Sequence, residues 1–263
     1  MWEPQRVALS DEMQLVMPDL PGFGRSRLED CGLGSSVEAC AGCLRAADRP
    51  AVVVGVSYGG WVAVLLAARY PELVARVLIS GVRPRLPRSL AMLQAAAFRT
   101  MPAGRLNRND PGSIEAAKIE KRNLIKASHE LSEVDLTSSL ARITAPTDVF
   151  APSRDWFVRG YAAEVAAAVP YATLIPVPGA GHLWTGRQPA PLIERIRALS
   201  RIRQRVCEVS DESKVACDSP CGTNAYRVAA RPTTASRSSG RRSCPCSRSP
   251  RPVCPSSHPR RST

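Results

Sequence analysis

The sequence has no stretch of about 18 consecutive apolar residues, the length that a membrane-spanning helix needs. Its first residues, MWEPQRVALSDEMQ, lack the charged segment followed by an apolar segment that marks a secretory signal peptide. These two absences argue against a membrane protein and against a secreted one. We therefore expect a cytoplasmic chain, and 44% hydrophobic residues over 263 positions are enough for a core.

Cysteine is present at nine positions, but not in the regular pairs that a zinc site requires. Six of the nine lie after residue 200 at irregular spacings, and His258 is the only histidine in that part of the sequence. Cys40 and Cys43 form a C-x-x-C in a helical stretch of small residues, with no second pair nearby. We therefore predict no metal site, and expect Cys40 and Cys43 to be ordinary thiols on one helix.

The last part of the chain lacks the residues from which cores are built. Residues 231–263 contain no Leu, Ile, Phe, Met, Trp or Tyr. Such a segment buries too little apolar surface to offset the entropy lost on ordering. We predict a folded domain over residues 1–200 and a disordered, basic Arg/Ser/Pro/Cys-rich tail over residues 201–263.

The tail holds 13 of the 36 Lys and Arg residues but only 4 of the 23 Asp and Glu residues. Most of the formal net charge of +13 therefore belongs to the tail. One alternative is a basic arm for nucleic acid or an acidic membrane surface. Because residues 231–263 contain no aromatic residues to stack on bases, we expect neither partner. The composition is also typical of GC-rich DNA read out of frame, and we favour that origin.

Residues 1–200 alternate between apolar strands and helical segments. The predicted strands are MQLVMPDL, AVVVGV, VARVLISG, TDVFAP and TLIPVPG. Helical segments lie between most of them, and this order predicts an α/β fold with a mostly parallel sheet and flanking helices. Residues 83–141 differ, because they contain only helical segments separated by Pro and Gly, and there we predict a helical insertion.

The stretch VVVGVSYGGW places Ser57 between glycines, after an apolar strand and before a helix. A serine hydroxyl is a weak nucleophile, so it needs a base within hydrogen-bond reach and a third group to orient that base. A tight strand-to-helix turn lifts the hydroxyl above the strand ends, at the start of the helix. We expect Gly55 and Gly59 to relieve the crowding in this turn.

The base must be one of three histidines. His258 lies in the tail, and His129 lies in the helical insertion, where we expect an exposed helix residue. His182 lies in VPGAGHLWTG, a glycine-rich turn after the last apolar strand. Catalytic side chains of open α/β sheets gather at strand ends, so His182 is the predicted base.

The orienting acid is predicted to be Asp155, which lies just past the strand TDVFAP. Asp148 lies inside that strand, where its side chain is expected to run along the sheet face. Asp19 precedes the serine and lies in a turn, where a carboxylate usually accepts hydrogen bonds from turn amides. Asp155 is therefore preferred to both.

The order Ser57, Asp155, His182 resembles that of the α/β-hydrolases. Four ordered segments carry the resemblance, which covers about residues 2–200: MPDLPGFGRS, GVSYGG, ITAPTDVFAPSRD and VPGAGHLWTGRQP. The third departs from the family pattern, because Ala151 and Pro152 stand near the place where the family usually has glycine.

The resemblance implies a role for each matching residue. Ser57 is the nucleophile, His182 the base and Asp155 its orienter, while the backbone N–H of Tyr58 is an oxyanion donor. A serine nucleophile argues against haloalkane dehalogenases and epoxide hydrolases, which use aspartate there. The implied enzyme is an esterase-like serine hydrolase that cleaves an ester, thioester or related acyl bond of a small molecule through an acyl-enzyme, without a cofactor. The helical insertion, about residues 83–141, corresponds to the family's cap, which shapes the substrate pocket.

The family's third strand normally carries a His-Gly segment that supplies a second oxyanion donor. No His-Gly occurs before residue 50, so the resemblance implies an N-terminally truncated α/β-hydrolase fold that lacks its first three strands. Loss of one oxyanion donor costs roughly 3–4 kcal/mol in the transition state. A catalytically inactive fragment or a binding module is therefore the alternative to an active hydrolase.

Overall fold

The computed structural model describes residues 1–47, 49–102, 114–158, 160–207 and 225–228. The chain divides into two units, Met1–Ala230 and Arg231–Thr263, and all described residues belong to the first. Its helices and strands are, in chain order, α1 Glu3–Leu9, β1 Leu15–Pro18, α2 Leu33–Arg45, β2 Ala51–Val56, α3 Tyr58–Arg69, β3 Val74–Ser80, α4 Arg88–Thr100, α5 Ile114–Glu133, α6 Thr137–Ala141, β4 Thr147–Pro152, α7 Tyr161–Ala168, β5 Ala172–Val177, α8 Ala190–Cys207 and β6 Ala225–Val228.

A parallel sheet of four strands, in the order β2-β3-β4-β5, forms the centre of this unit. Helices connect the strands, so the α/β architecture predicted from the sequence is confirmed. Parallel strands all end at the same edge of the sheet, and the loops after β2, β3, β4 and β5 meet there. That edge carries the candidate site.

Helices cover both faces of the sheet, which explains the continuous apolar runs of its strands. Val77 and Leu78 of β3 point to opposite faces of the sheet, and both are fully buried. Val77 packs in a large cluster with Trp61 and Leu66 of α3. Leu78 packs in a second cluster with Phe150 and the α8 residue Leu192. The two clusters hold the strands, and hence their carboxyl ends, in a fixed arrangement.

The strand β1 lies outside the parallel sheet, contrary to the expectation that its segment joins it. It pairs antiparallel with β6 instead, with Leu15 opposite Val228 and Pro18 opposite Ala225. Backbone N–H and C=O groups of an extended segment need partners, and β1 finds them in a strand far along the chain. Sequence patterns near β1 carry no information about so distant a partner.

The helical insertion predicted for residues 83–141 contains α4 and α5, which pack against each other, and the short α6. Residues 103–113 of the insertion lie outside the described part. Polar side chains of α5 contact the segment that precedes α2. The Asn123 amide donates to the carbonyl of Gly22 at 2.7 Å, and Glu130 Oε1 accepts the Leu33 N–H at 2.8 Å. Since the N-cap residue of α2 is a glycine, Glu130 caps that helix from outside.

The helix α8 passes the domain boundary predicted at residue 200 and ends at Cys207, and β6 lies at residues 225–228. The four residues of β6 are thus a strand, where the sequence predicts disorder, because they pair with β1. The rest of the predicted tail, residues 208–224 and 229–263, lies outside the described residues. In the part of the chain that the structure describes, no helix has the length and apolar character to cross a membrane.

Candidate active site

Ser57 forms the turn between β2 and α3, as the sequence predicts. Its backbone angles are φ 55° and ψ −122°, and no other described residue except glycine has a positive φ. Such a conformation costs about 1–3 kcal/mol and persists only where the surroundings enforce it. Here the Ser57 N–H donates to the Ser80 carbonyl at 2.9 Å, which ties the turn to the end of β3.

Two glycines make room for the turn, but only one of them is as predicted. A Cβ on Gly55 would overlap the carbonyl of Gly59, so this position excludes every side chain. A Cβ on Gly59 would meet no atom within 4 Å. The second tight position is Gly60, where a Cβ would lie 2.5 Å from Val82 Cγ2. The prediction that Gly59 relieves the crowding was therefore wrong. The crowding comes from the β3 side of the turn and falls on Gly60, one residue further along the chain.

The structure brings Ser57, His182 and Asp155 together in one hydrogen-bonded chain. His182 Nε2 lies 2.9 Å from Ser57 Oγ, and His182 Nδ1 lies 2.7 Å from Asp155 Oδ2. Asp155 is 1% exposed, while the His182 side chain keeps 31% of its surface accessible. The Phe157 N–H donates to the other Asp155 oxygen at 3.2 Å and so fixes the carboxylate.

Gly81 and Phe157 pack against the His182 ring, and sequence reasoning identified neither. Gly81 adopts φ 71°, and a Cβ there would lie 3.0 Å from His182 Cε1. The Phe157 ring meets the imidazole edge to face, with 5.6 Å between centroids. The only available signal for Gly81 was a glycine directly after a strand. These contacts limit the orientations of the imidazole, and so keep Nε2 near Ser57 and Nδ1 near Asp155.

Asp148 takes no part in this arrangement. It is completely buried in β4, where its carboxylate accepts bidentate hydrogen bonds from Arg195 at 2.7 and 2.8 Å and from Arg76 at 3.2 Å. Burial acts to raise the pKa of Asp148, but the hydrogen bonds from Arg195 and Arg76 outweigh it and hold the pKa below its usual value. The sequence-based preference for Asp155 over Asp148 agrees with this geometry.

The other candidates behave as expected from their surroundings. Asp19 accepts the backbone N–H of Arg25 at 3.2 Å and its side-chain Nε at 3.0 Å, a turn-capping role. His129 is exposed on α5, far from the start of that helix. His258 lies outside the described residues.

The N-terminus of α3 supplies a candidate oxyanion donor. Tyr58 is the first residue of this helix, so its N–H has no carbonyl four residues earlier within the helix. Such N–H groups, together with the helix dipole, favour negative charge beside the serine. The Tyr58 side chain points elsewhere: its ring contacts Phe23 at 5.6 Å between centroids, and burial raises the pKa of its hydroxyl.

Arg83, a few residues after β3, is 6% exposed and is the most buried arginine among the side chains described. Its Nη1 donates to the Phe157 carbonyl at 3.2 Å, and its guanidinium lies over the Tyr161 and Phe157 rings, 4.0 and 5.7 Å from their centroids. Its buried Nε has no hydrogen-bond partner. Burying an ion costs several kcal/mol, and a desolvated cation–π contact returns about 2 kcal/mol or more.

The cysteines of the C-x-x-C lie within α2. Burial, and next the neighbouring Cys43, raise the pKa of Cys40 to about 12, so this thiol stays protonated at neutral pH. A reactive C-x-x-C needs the opposite shift. Among the described residues, no cluster of three or more His, Cys, Asp or Glu side chains is placed to hold a metal ion.

Comparison with known proteins gives one family and several relatives. The family model described as "Alpha/beta hydrolase family" matches residues 1–195. An AB hydrolase superfamily protein of Gibberella zeae is 25% identical over 197 residues, which cover 70% of this chain and 68% of that protein. The pimeloyl-[acyl-carrier protein] methyl ester esterase of Vibrio cholerae is 32% identical over 84 residues, 32% of either chain.

Among solved structures, a thermophilic esterase from Thermogutta terrifontis, determined with malate bound, superposes with a TM-score of 0.62. It is 25% identical in sequence, and the match covers 76% of this chain and 84% of the esterase.

Proposed function

Because this chain belongs to the alpha/beta hydrolase family, we propose that it is a serine hydrolase that cleaves a carboxylic ester, a thioester or a related acyl bond. The observation that carries the proposal is the hydrogen-bonded chain from Ser57 Oγ through His182 to Asp155. It supplies a nucleophile, a base in contact with it and an acid that orients the base, which is what acyl transfer to serine requires.

In the first half of the reaction, Ser57 Oγ attacks the acyl carbonyl while His182 Nε2 accepts the hydroxyl proton. Asp155 accepts the hydrogen bond from Nδ1–H, which sets the tautomer of the ring and stabilises the imidazolium that forms. The Tyr58 N–H stabilises the negative charge that develops on the carbonyl oxygen. His182 then returns its proton to the leaving alcohol or thiol, and an acyl-enzyme remains.

In the second half, a water molecule takes the place of the leaving group. His182 Nε2 accepts a proton from this water as it attacks the acyl carbon, and then gives that proton to Ser57 Oγ as the bond between Oγ and the acyl carbon breaks. The acid is released, and the Ser57 hydroxyl and the neutral His182 are restored. His182 keeps about a third of its side-chain surface accessible, so solvent can reach the imidazole.

Hydrolysis of 4-nitrophenyl acetate tests the proposal. Removal of a catalytic serine from such a triad lowers kcat by about 10⁴-fold or more, so Ser57→Ala is expected to reduce hydrolysis to near background. The matched control is Ser138→Ala, which removes the same hydroxyl from an exposed position of α6 and is expected to keep full activity. Equal rates for Ser57→Ala and the parent chain would refute a serine hydrolase and favour a binding module.

A further inference from the structure

Arg83 carries a buried positive charge that the described residues do not neutralise. Two other arginines have carboxylate partners: Arg195 pairs with Asp148 at 2.7 Å, and Arg85 pairs with Asp135 at 2.5 Å. Within the described part of the chain, Arg83 forms one hydrogen bond, from Nη1 to the carbonyl of Phe157. Neither Nε nor Nη2 forms one, so the guanidinium edge that these two atoms share has no hydrogen-bond partner there.

This arginine lies beside the Ser57–His182–Asp155 cluster. It follows Gly81 by two residues, and Gly81 packs directly against His182 and the Ser57 backbone nitrogen. Its guanidinium also contacts Phe157, whose ring packs against the His182 imidazole. An anion bound to Arg83 would therefore belong to a molecule that also reaches the nucleophile.

We propose that Arg83 binds a carboxylate at the far end of the substrate's acyl chain, so that the preferred substrates are monoesters of dicarboxylic acids. The inference rests on the proposed serine hydrolase function and narrows its substrate class. The Nε–Nη2 edge of a guanidinium is planar and donates two parallel hydrogen bonds, a geometry that matches the two oxygens of a carboxylate. One such ligand also neutralises the single buried charge, whereas a phosphate dianion would leave an excess negative charge.

The two rings that lie against the guanidinium, Phe157 and Tyr161, are themselves only partly buried. We expect one of them to turn aside when the carboxylate enters. Tyr161 is the first residue of α7 and Phe157 belongs to the loop before it, so neither ring is held in the centre of a regular element. The methylenes of the acyl chain would then pack along the Phe157 ring, towards Ser57.

Two substrates with acyl groups of equal length distinguish the effect of the terminal carboxylate from that of the acyl group's length. The mono-4-nitrophenyl ester of adipic acid and 4-nitrophenyl hexanoate share leaving group and acyl length, and differ in the terminal carboxylate. After subtraction of enzyme-free rates, we expect the parent chain to prefer the adipate ester by about 10- to 100-fold in kcat/KM, as charged hydrogen bonds typically provide. Arg83→Met should bring this ratio close to one, and Arg83→Lys should restore part of it.

The matched control is Arg85→Met, which removes the same charge two residues away. Arg85 is 73% exposed, so this variant should keep the parental ratio and thereby exclude a general effect of net charge. A parent chain without preference for the adipate ester would overturn the proposal. So would an Arg83→Met variant that loses activity equally on both esters, because that result indicates a role in holding Phe157 against His182.

A measurement on the parent chain alone covers the case in which Arg83→Met does not fold. Free adipate should slow the labelling of Ser57 by a fluorophosphonate, whereas the uncharged adipamide at the same concentration should not. Equal effects of the two compounds would overturn the carboxylate site. Labelling of Ser57 without any added compound reports on the serine hydrolase itself, so failure of the two proposals is distinguishable.

Discussion

At the scale of single residues, the candidate site depends on a carboxylate that is buried and a histidine that is accessible. One Asp155 oxygen accepts a hydrogen bond from His182 Nδ1, and the other accepts one from the Phe157 N–H, so both oxygens have partners. This arrangement selects the tautomer that leaves Nε2 able to accept a proton from Ser57.

Asp155→Asn tests this role. An amide at this position can donate to Nδ1 and thus favour the wrong tautomer, so kcat should fall by about 10³- to 10⁴-fold with little change in KM. Steady-state hydrolysis of an aryl ester measures it. Asp30→Asn, at an exposed carboxylate that pairs with Lys126, is the control and should stay fully active. A loss of less than tenfold for Asp155→Asn would contradict the assignment.

Single residues also differ in how readily the sequence identifies them as candidates. Ser57, Asp155 and His182 were identifiable as candidates because each follows an apolar strand within a few residues, and strand ends are visible as changes in composition. Gly60, Gly81 and Arg83 were not, because their importance arises from contacts with other segments: Val82, His182 and the Phe157 loop. A lone glycine or arginine in the sequence carries no sign of such contacts.

At the scale of elements, the turn between β2 and α3 contains two glycines, Gly55 and Gly59, whose replacement by alanine should have opposite effects. Gly55→Ala places a methyl group against the Gly59 carbonyl, so the turn must open and we expect loss of ester hydrolysis and at least about 2 kcal/mol of unfolding free energy. Urea denaturation and an activity assay measure the two effects.

Gly59→Ala is the matched variant, because its methyl group meets no atom within 4 Å. Alanine is favoured over glycine inside a helix by up to about 1 kcal/mol, so this variant should unfold at the same or a higher urea concentration. If Gly59→Ala destabilised the protein more than Gly55→Ala, the described turn would be wrong.

A second element-scale prediction concerns the contact between α5 and the start of α2. Glu130→Ala removes the carboxylate that accepts the Leu33 N–H, so the unfolding free energy should fall by about 1 kcal/mol, as for the loss of a helix cap. Glu133→Ala, at an exposed position on the same helix, should have almost no effect. Equal stability of the two variants in thermal or urea unfolding would contradict the capping role.

Elements also differ in how well the sequence predicted them. The runs AVVVGV and TDVFAP were predicted as strands and form β2 and β4 over the same residues, because continuous β-branched and apolar residues suit strands covered on both faces. The pairing of β1 with β6 was not predicted, since it joins segments about 200 residues apart. A short strand reveals its own propensity but not its partner.

At the scale of the whole molecule, one buried charge cluster joins three elements of the domain. Asp148 in β4 binds Arg76 of β3 and Arg195 of α8. Because the folded state holds the pKa of Asp148 below its usual value, this cluster stabilises the fold above pH about 4. The contribution is lost as the pH falls from there through the lowered pKa of the folded state.

Asp148→Asn should therefore lower the free energy of unfolding by about 3 kcal/mol at pH 7, the lower end for a broken buried ion pair, because both arginines reach solvent and can rehydrate. Urea titrations from pH 7 to pH 3 should show the gap between variant and parent chain narrowing below about pH 4. A gap that stays constant with pH would contradict the linkage.

The central claim is that this member of the alpha/beta hydrolase family carries an activated serine at position 57. The most direct test treats the purified, folded chain with a fluorophosphonate and reads the product by intact mass, beside Ser57→Ala and a urea-unfolded sample. We predict one adduct on the folded parent chain and none on the other two. A folded parent chain without an adduct, or an adduct that persists in Ser57→Ala, would contradict the claim.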